Sequence, residues 1–253
     1  MLRPTSILIT GASSGIGKAL ARAYAGPGTA LALTGRDRAR LEAAAGSCRE
    51  MGAAVRAETL DVLQRDRLAA WMTEVDGASP LDLVIANAGV SGGTGGSGED
   101  AAQARRIFEV NLEGVVNTVM PALHLMRPRR RGQIAIVSSL AAFRGFPGAP
   151  AYCASKAAVR VWGEALRGHL QAEGIGVSVI CPGFVRTPMS AVNRFPMPFL
   201  MEADRAARII RRGLSRNQAR IAFPWPMYAM AWLLSALPPA LIDPLLGKFP
   251  AKE

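Results

Sequence analysis

The sequence predicts an α/β protein: a single domain on a doubly wound parallel sheet, flanked by helices on both faces. Three observations predict it. Short Ile-, Leu- and Val-rich runs recur along the chain at lengths too small for helices, as buried parallel strands require. Ala- and Arg-rich stretches of helical period separate them, and that alternation implies right-handed crossovers that place helices on both faces. The chain has 253 residues, 50% of them hydrophobic, enough to bury one large core without dividing.

Taken in order, a strand is expected at Ser6–Thr10 and a helix over Ile16–Ala25. Strands at Ala30–Thr34, Val55–Leu60, Leu81–Ala86, Gln133–Ser138 and Gly176–Ile180 follow. Helices are expected over Arg38–Met51, Arg65–Val75, Ala101–Met126 and Ala154–Ala172, with Arg220–Phe223 as a last edge strand. A Gly-rich run from Ser91 to Gly98 and a Pro-rich stretch from Pro188 to Pro198 read as mobile loops inside one domain, residues 1–253. Ligands of such a sheet bind at the carboxyl ends of its strands.

The formal net charge of +11 fits nucleic acid, an anionic membrane surface or anionic small molecules. Only Arg127, Arg129, Arg130 and Arg131 form a basic run, and it lacks the interleaved aromatics of a nucleic-acid reader. Nucleic acid is therefore not an expected partner. The first apolar run begins at Ile7, which leaves no room for a secretory signal. The three cysteines lack paired spacing, so neither a disulfide framework nor a metal site is expected. These features point to a reducing, cytoplasmic compartment.

The turn Thr10-Gly11-Ala12-Ser13-Ser14-Gly15-Ile16-Gly17 joins the first strand to the first helix, the context in which a glycine pattern binds a dinucleotide. Gly11 permits the tight turn, Gly15 lets backbone approach a pyrophosphate, and Gly17 lets the helix pack against the sheet. Helix amides then face the phosphate oxygens. The second strand ends Gly35-Arg36-Asp37, with glycine where an NAD enzyme places an acid against the ribose 2′-hydroxyl. Arg36, with Ser13 as a second donor, suits a 2′-phosphate, so the expected cofactor is NADP(H). The neighbouring Asp37 argues in the other direction.

Tyr152 and Lys156 stand four apart, on one face of a helix. A nearby cation favours the phenolate and brings a tyrosine closer to proton exchange near neutral pH. Such a pair is also common on helix surfaces; its context carries the weight. Tyr152-Cys153-Ala154-Ser155-Lys156 follows Ser139, which closes the strand ending at Ser138. Adjacent strand residues face opposite sides, so only one of Ser138 and Ser139 can point at a substrate.

Together these segments resemble the short-chain dehydrogenase/reductase family from about Thr5 to Thr187: TGxxxGxG at Thr10–Gly17, NAG at Asn87-Ala88-Gly89, a serine followed by YxASK, and PGxVxT at Pro182–Thr187. The resemblance implies a Rossmann oxidoreductase in which Ser139 holds the substrate oxygen and Tyr152 gives or takes its proton. Lys156 would bind the nicotinamide ribose and lower the tyrosine's pKa. Asn111 would support a water chain toward that lysine. For the cofactor it implies Gly11, Ser13, Ser14, Gly15, Ile16, Gly17 and Arg36, with Asp61 and Val62 at the adenine edge. Asn87, Ala88 and Gly89 would lie beside the adenosine ribose, with Tyr152 and Lys156 beside the nicotinamide. Pro182, Gly183, Val185 and Thr187 would meet its carboxamide. No metal enters this chemistry. Cys181 departs from the asparagine often found before Pro-Gly, and Cys153 reads as packing.

Relatives of this kind form dimers or tetramers through the helices after the fourth and fifth strands, so a homodimer or homotetramer is expected. A substrate lid is expected around residues 188–204, where Met189, Val192, Phe195, Met197, Phe199, Leu200 and Met201 either receive an apolar ligand or pack against the body. An apolar extension around 223–253 is too interrupted by Pro238, Pro239, Asp243 and Pro244 to span a bilayer. It docks on the body or on a subunit, or it contacts a membrane peripherally through Trp225, Tyr228 and Trp232 with Lys248 and Lys252 beyond. The substrate is a small carbonyl or alcohol, apolar or lipid-like, and reduction is the expected direction. A non-catalytic NADP-binding sensor, or a scaffold on the same fold, is the competing reading.

Overall fold

Seven strands, β1 (Ser6–Ile9), β2 (Ala30–Gly35), β3 (Ala54–Thr59), β4 (Leu83–Ala86), β5 (Gly132–Val137), β6 (Ile175–Pro182) and, near the end, Arg220–Phe223, build one parallel sheet. The structure is a computed structural model that describes residues 3–92, 99–193, 195–238 and 240–242. Most of the Gly-rich run, and the tail with Lys248 and Lys252, lie outside the described residues.

The chain winds outward from β1 through β2 to β3, then returns to β4 on the other side of β1 and proceeds through β5 and β6 to Arg220–Phe223. The direction reverses between β1 and β4, which is where a sheet of this kind opens a crevice for ligands. Alternation along each strand serves two cores. Ile7, Ile9, Leu31 and Leu33 pack under α1 (Gly15–Tyr24), α2 (Arg38–Glu50) and a late helix, Ala203–Ser215. Leu8, Ala32, Val84 and Ile134 pack under α3 (Arg65–Ala78), a helix at Gly114–Met126, and another at Pro150–Leu170. Ile7, Leu8 and Ile9 are fully buried, each contributing about 1.5–3 kcal/mol by area alone.

Two expectations need correction. The single helix expected over Ala101–Met126 is divided into α4 (Ala101–Phe108) and α5 (Gly114–Met126) by a π-helical turn, Glu109–Glu113. The turn turns Asn111 fully inward, and a Cβ on Gly114 would lie 2.5 Å from Val62 Cγ2, so the helix passes too close to β3's following loop for any larger residue. The helix expected from Ala154 begins earlier: α6 spans Pro150–Leu170 with proline at its start, where the missing N–H costs nothing. Tyr152 therefore sits in the first turn.

Beyond β6, β7 (Val185–Arg186) and β8 (Met201–Glu202) form a small parallel pair that the strand patterning did not predict. The chain between them carries α7 (Pro188–Ala191). Next come α8 (Ala203–Ser215), the edge strand β9 (Arg220–Phe223) and α9 (Trp225–Ala236). The inner side of α9 docks through Ala231, Met227 and Tyr228 onto Leu140, Phe143, Val179 and Cys181. Arg220 ties this corner together: it binds Glu164 of α6 and the Tyr228 hydroxyl, at 3.0 Å, while its guanidinium lies 5.3 Å from the Phe143 ring. No helix among the described residues is long and apolar enough to cross a membrane.

Candidate active site

The glycine turn is built for backbone contact. Gly11 and Gly15 have φ of +68° and +54°, a region open to glycine at little cost. A Cβ on Gly11 would stand 2.8 Å from Ala88 Cα, and one on Gly17 would stand 2.3 Å from the Gly11 carbonyl oxygen. Ser14, at the N-cap of α1, makes no side-chain cap bond, so the first amides of the helix are left for an external anion. Asn87 braces the turn by donating to the Thr10 and Gly11 carbonyls at 2.9 and 3.1 Å. Thr10 returns the bond, its hydroxyl accepting from the Asn87 and Ala88 amides. Thr10 stands in the quoted motif but was given no role there; its signal is a hydroxyl at the strand end opposite Asn87.

At the end of β2, a Cβ on Gly35 would lie 3.0 Å from Ser13 Oγ, so Ser13 and Arg36 flank one corner of the turn. Arg36 is 56% exposed and only 4.0 Å from Asp61, an ion pair long enough to rearrange. Asp61 also meets Arg106 at 3.4 Å and accepts from the Leu63 amide. Asp37 lines the same corner. Its carboxylate caps α2, accepting from the Arg40 amide at 2.9 Å and the Arg40 side chain at 2.6 Å, and those bonds hold its pKa below the usual range. Arg40, which the sequence reading passed over, lines the same corner.

A cavity of about 1170 Å³ runs from this corner to the carboxyl ends of β5 and β6. The glycine turn, Arg36, Asp61, Val62, Asn87, Ala88 and Gly89 line one end, and Ser139, Tyr152, Lys156, Pro182, Gly183, Val185 and Thr187 line the other. Thr187 reaches back to the turn, since a Cβ on Gly15 would lie 2.9 Å from its Cγ2. The fit to a dinucleotide rests on these features: a cradle that side chains would fill, uncapped helix amides, and volume for two linked nucleotides.

The two adjacent serines divide as strand geometry requires. Ser138 is buried in the cavity wall and donates to the Lys156 carbonyl at 2.7 Å, so its hydroxyl is already engaged. Ser139 lines the cavity, accepts from the Ala141 amide at 3.1 Å and is hydrogen-bonded to Tyr152. Lys156 is buried, with Nζ donating to the Val137 carbonyl at 3.0 Å and standing 5.9 Å from the centre of the Tyr152 ring. Burial pushes its pKa down to about 8, with Cys181 acting the other way. The expected lowering of the tyrosine pKa by this lysine is not found among the protein's own groups. Burial raises the Tyr152 phenol, with the Ser139 bond opposing it.

Asn111 is fully buried and its side chain is fully used. Oδ1 accepts from the Val90 amide, while Nδ2 donates to the Val90 carbonyl and to Ser155 Oγ. Its side chain therefore clamps the segment after Gly89 rather than presenting a spare donor. Gly89 is squeezed accordingly, for a Cβ there would lie 3.1 Å from Asn111 Oδ1 and 3.3 Å from Lys156 Nζ. Cys181, with no exposure, is pushed up to about 12 by burial and bonds to Ser138, so it stands outside the cavity chemistry.

The two readings of the lid separate residue by residue. Met189 and Phe195 line the cavity, with Phe195 packed edge-on against Phe184 at 5.9 Å. Met201 packs in the core, while Val192 and Phe199 are exposed. The tail also contributes to the site, which its composition alone did not suggest. Met227, Met230, Ala231 and Leu234 of α9 line the cavity, and their spacing along one helix face is the signal that could have found them.

A family profile described as short chain dehydrogenase matches residues 5–196. An uncharacterized oxidoreductase of Myxococcus xanthus is 39% identical over 237 residues, covering 93% of this chain and 94% of that one. A short-chain dehydrogenase structure from Sphingobium yanoikuyae in complex with NADPH superposes with a TM-score of 0.81 at 27% identity, covering 97% of this chain and 96% of that one. A short chain dehydrogenase/reductase from Burkholderia phymatum in complex with NAD reaches a TM-score of 0.85 at 24% identity, over 100% of this chain and 99% of that one, and so bears on the fold alone.

Proposed function

The chain belongs to the short-chain dehydrogenase family and is an oxidoreductase, and we propose that it is an NADP-dependent reductase of apolar, lipid-like carbonyl compounds. The convergence of Ser139, Tyr152 and Lys156 at one end of a cavity whose other end is the glycine turn carries this reading. NADPH would lie along that cavity and supply the hydride. Ser139 and the Tyr152 hydroxyl would hold the carbonyl oxygen of the substrate, and Tyr152 would deliver the proton as the oxygen becomes an alcohol. Lys156 would hold the nicotinamide ribose, Asn111 would position the Val90 segment beside it, and Asn87 would hold the glycine turn.

A phenol raised by burial is a proton donor at neutral pH, which suits the reducing direction. The apolar lining from Met189, Phe195, Met227, Met230 and Leu234 supports an apolar substrate. Outside the cavity, α9 exposes Trp225, Trp232 and Leu233, and the lid exposes Val192 and Phe199. These residues would rest on a membrane surface from which such a substrate is drawn. Phe108, Val116 and Met120 recur on the outer side of α4 and α5 with Val161 exposed on α6, and this patch would pair two copies into a dimer.

The experiment is a titration of NADPH and NADH into the protein and its Arg36→Ala variant. Loss of a charge-assisted bond to the 2′-phosphate weakens NADPH by about 10- to 100-fold and leaves NADH unchanged. Equal weakening of both nucleotides would refute the 2′-phosphate assignment, and binding of neither would refute the enzyme itself.

A further inference from the structure

At the amino end of the sheet, opposite the candidate active site, lies a second cleft of about 530 Å³. Parallel strands and their crossover helices run in opposite directions, so α1 and α8 both end here, beside the segment that leads into β1. Arg3, Arg208, Arg211 and Arg212 line it with Tyr24 and Ser215, and no carboxylate does among the described residues. Arg208 stands three and four residues before Arg211 and Arg212, which puts all three on one side of α8.

These arginines differ from those that are tied into surface ion pairs, although others, such as Arg22, Arg38, Arg65 and Arg205, also meet no carboxylate among the described residues. Arg40, Arg49, Arg67, Arg129 and Arg131 each meet a carboxylate. Arg3, Arg208, Arg211 and Arg212 meet none among the described residues, and Arg211 is held in place by donating to the Ala23 carbonyl. Like charges at this spacing cost a helix a few tenths of a kcal/mol per pair. Two helices end here, and one cation at each would have been enough to complement their C-termini.

An independent observation comes from Tyr24. Its hydroxyl is buried at the cleft wall and has no hydrogen-bond partner. An unpaired buried donor costs about 1–3 kcal/mol, which an incoming oxygen acceptor would recover. Four arginines lining one cleft and an orphaned phenol suit an anion with several oxygens and more than one charge.

We infer that this cleft binds a small polyphosphate, a pyrophosphate or a nucleoside di- or triphosphate, at a site separate from the dinucleotide cavity. Its volume falls in the range of small-molecule sites and exceeds what one phosphate fills. A lipid headgroup is disfavoured because the exposed apolar residues of α9 lie with the cavity at the opposite end of the sheet. Nucleic acid is disfavoured because the one aromatic ring in the cleft has its hydroxyl end buried in the wall.

The test is calorimetric titration of pyrophosphate, and separately of ATP, into the full chain saturated with whichever of NADPH and NADH it binds more tightly. Arg208→Ala/Arg212→Ala should weaken pyrophosphate by at least about tenfold, as the loss of two charge-assisted contacts requires, and Tyr24→Phe should weaken it severalfold. Arg205→Ala, on the same helix but outside the cleft, should leave affinity unchanged, and dinucleotide affinity should be the same in every variant. Three results would each overturn the assignment: no pyrophosphate binding, binding that the double variant retains, or an equal loss in Arg205→Ala. Binding that disappears when the dinucleotide cavity is filled would also overturn it, by placing the anion there.

Discussion

Replacing Lys156 by methionine should make the protein more stable at neutral pH while removing its turnover. The lysine is 4% exposed and burial lowers its pKa from 10.5 to about 8. A lysine whose folded-state pKa is depressed binds its proton less well in the folded than in the unfolded chain. The charged form therefore costs the fold stability below pH 8, and stability returns as pH rises from about 8 toward 10.5. At 1.36 kcal/mol per pKa unit, the cost at pH 7 is about 3 kcal/mol. Methionine has similar volume and no charge, but it leaves the Val137 carbonyl without its donor, which returns about 1 kcal/mol of the gain. The expected net stabilisation is about 2 kcal/mol at pH 7, falling by about 1 kcal/mol by pH 9 as the native lysine loses its proton. Urea unfolding of both proteins at the two pH values measures it, and the difference between them cancels the titration of Tyr152, Cys181 and Cys48. A variant less stable at pH 7, or a gap that does not move with pH, would refute the reasoning.

Other outcomes follow from the same geometry. Tyr152→Phe should lower turnover by about 100- to 10,000-fold in a carbonyl-reduction assay, the usual contribution of a positioned acid, with little change in cofactor affinity. Gly17→Ala places a Cβ against the Gly11 carbonyl and Asn87 Nδ2, so thermal unfolding should report a loss of about 1–3 kcal/mol together with weakened dinucleotide binding. Asn111→Ala strands the half-buried Val90 amide and carbonyl and should cost about 1–3 kcal/mol in denaturant unfolding. Tyr228→Phe removes the 3.0 Å bond to Arg220 and should speed hydrogen exchange in α9 while leaving the central strands protected.

Much of this molecule was legible in the linear sequence because the deciding forces are local. Strand and helix order follows from hydrophobic period, and every expected strand is present within a residue or two. The glycine turn was legible because positive φ and close approach are properties of single residues. Tyr152 and Lys156 were legible as a helical pair. What the sequence left open were choices settled by residues far apart in the chain. Asp37 could have stood unpaired at the strand end, but Arg40 draws its carboxylate into a helix cap. Ser138 could have faced the substrate, but the Lys156 carbonyl claims it. Asn111 had the right type and place, yet only the π-helical turn directs its amide onto Val90.

The sequence by itself determined the fold class, the glycine turn and the identities of the polar groups in the cavity, since each depends on local backbone preference and periodicity. Tertiary structure alone decided how α9 lines the cavity, in which direction burial shifts the Tyr152 phenol and the Lys156 amine, and that four arginines and Tyr24 share one cleft. Burial and charge convergence depend on the whole packed chain, and no stretch of sequence carries them.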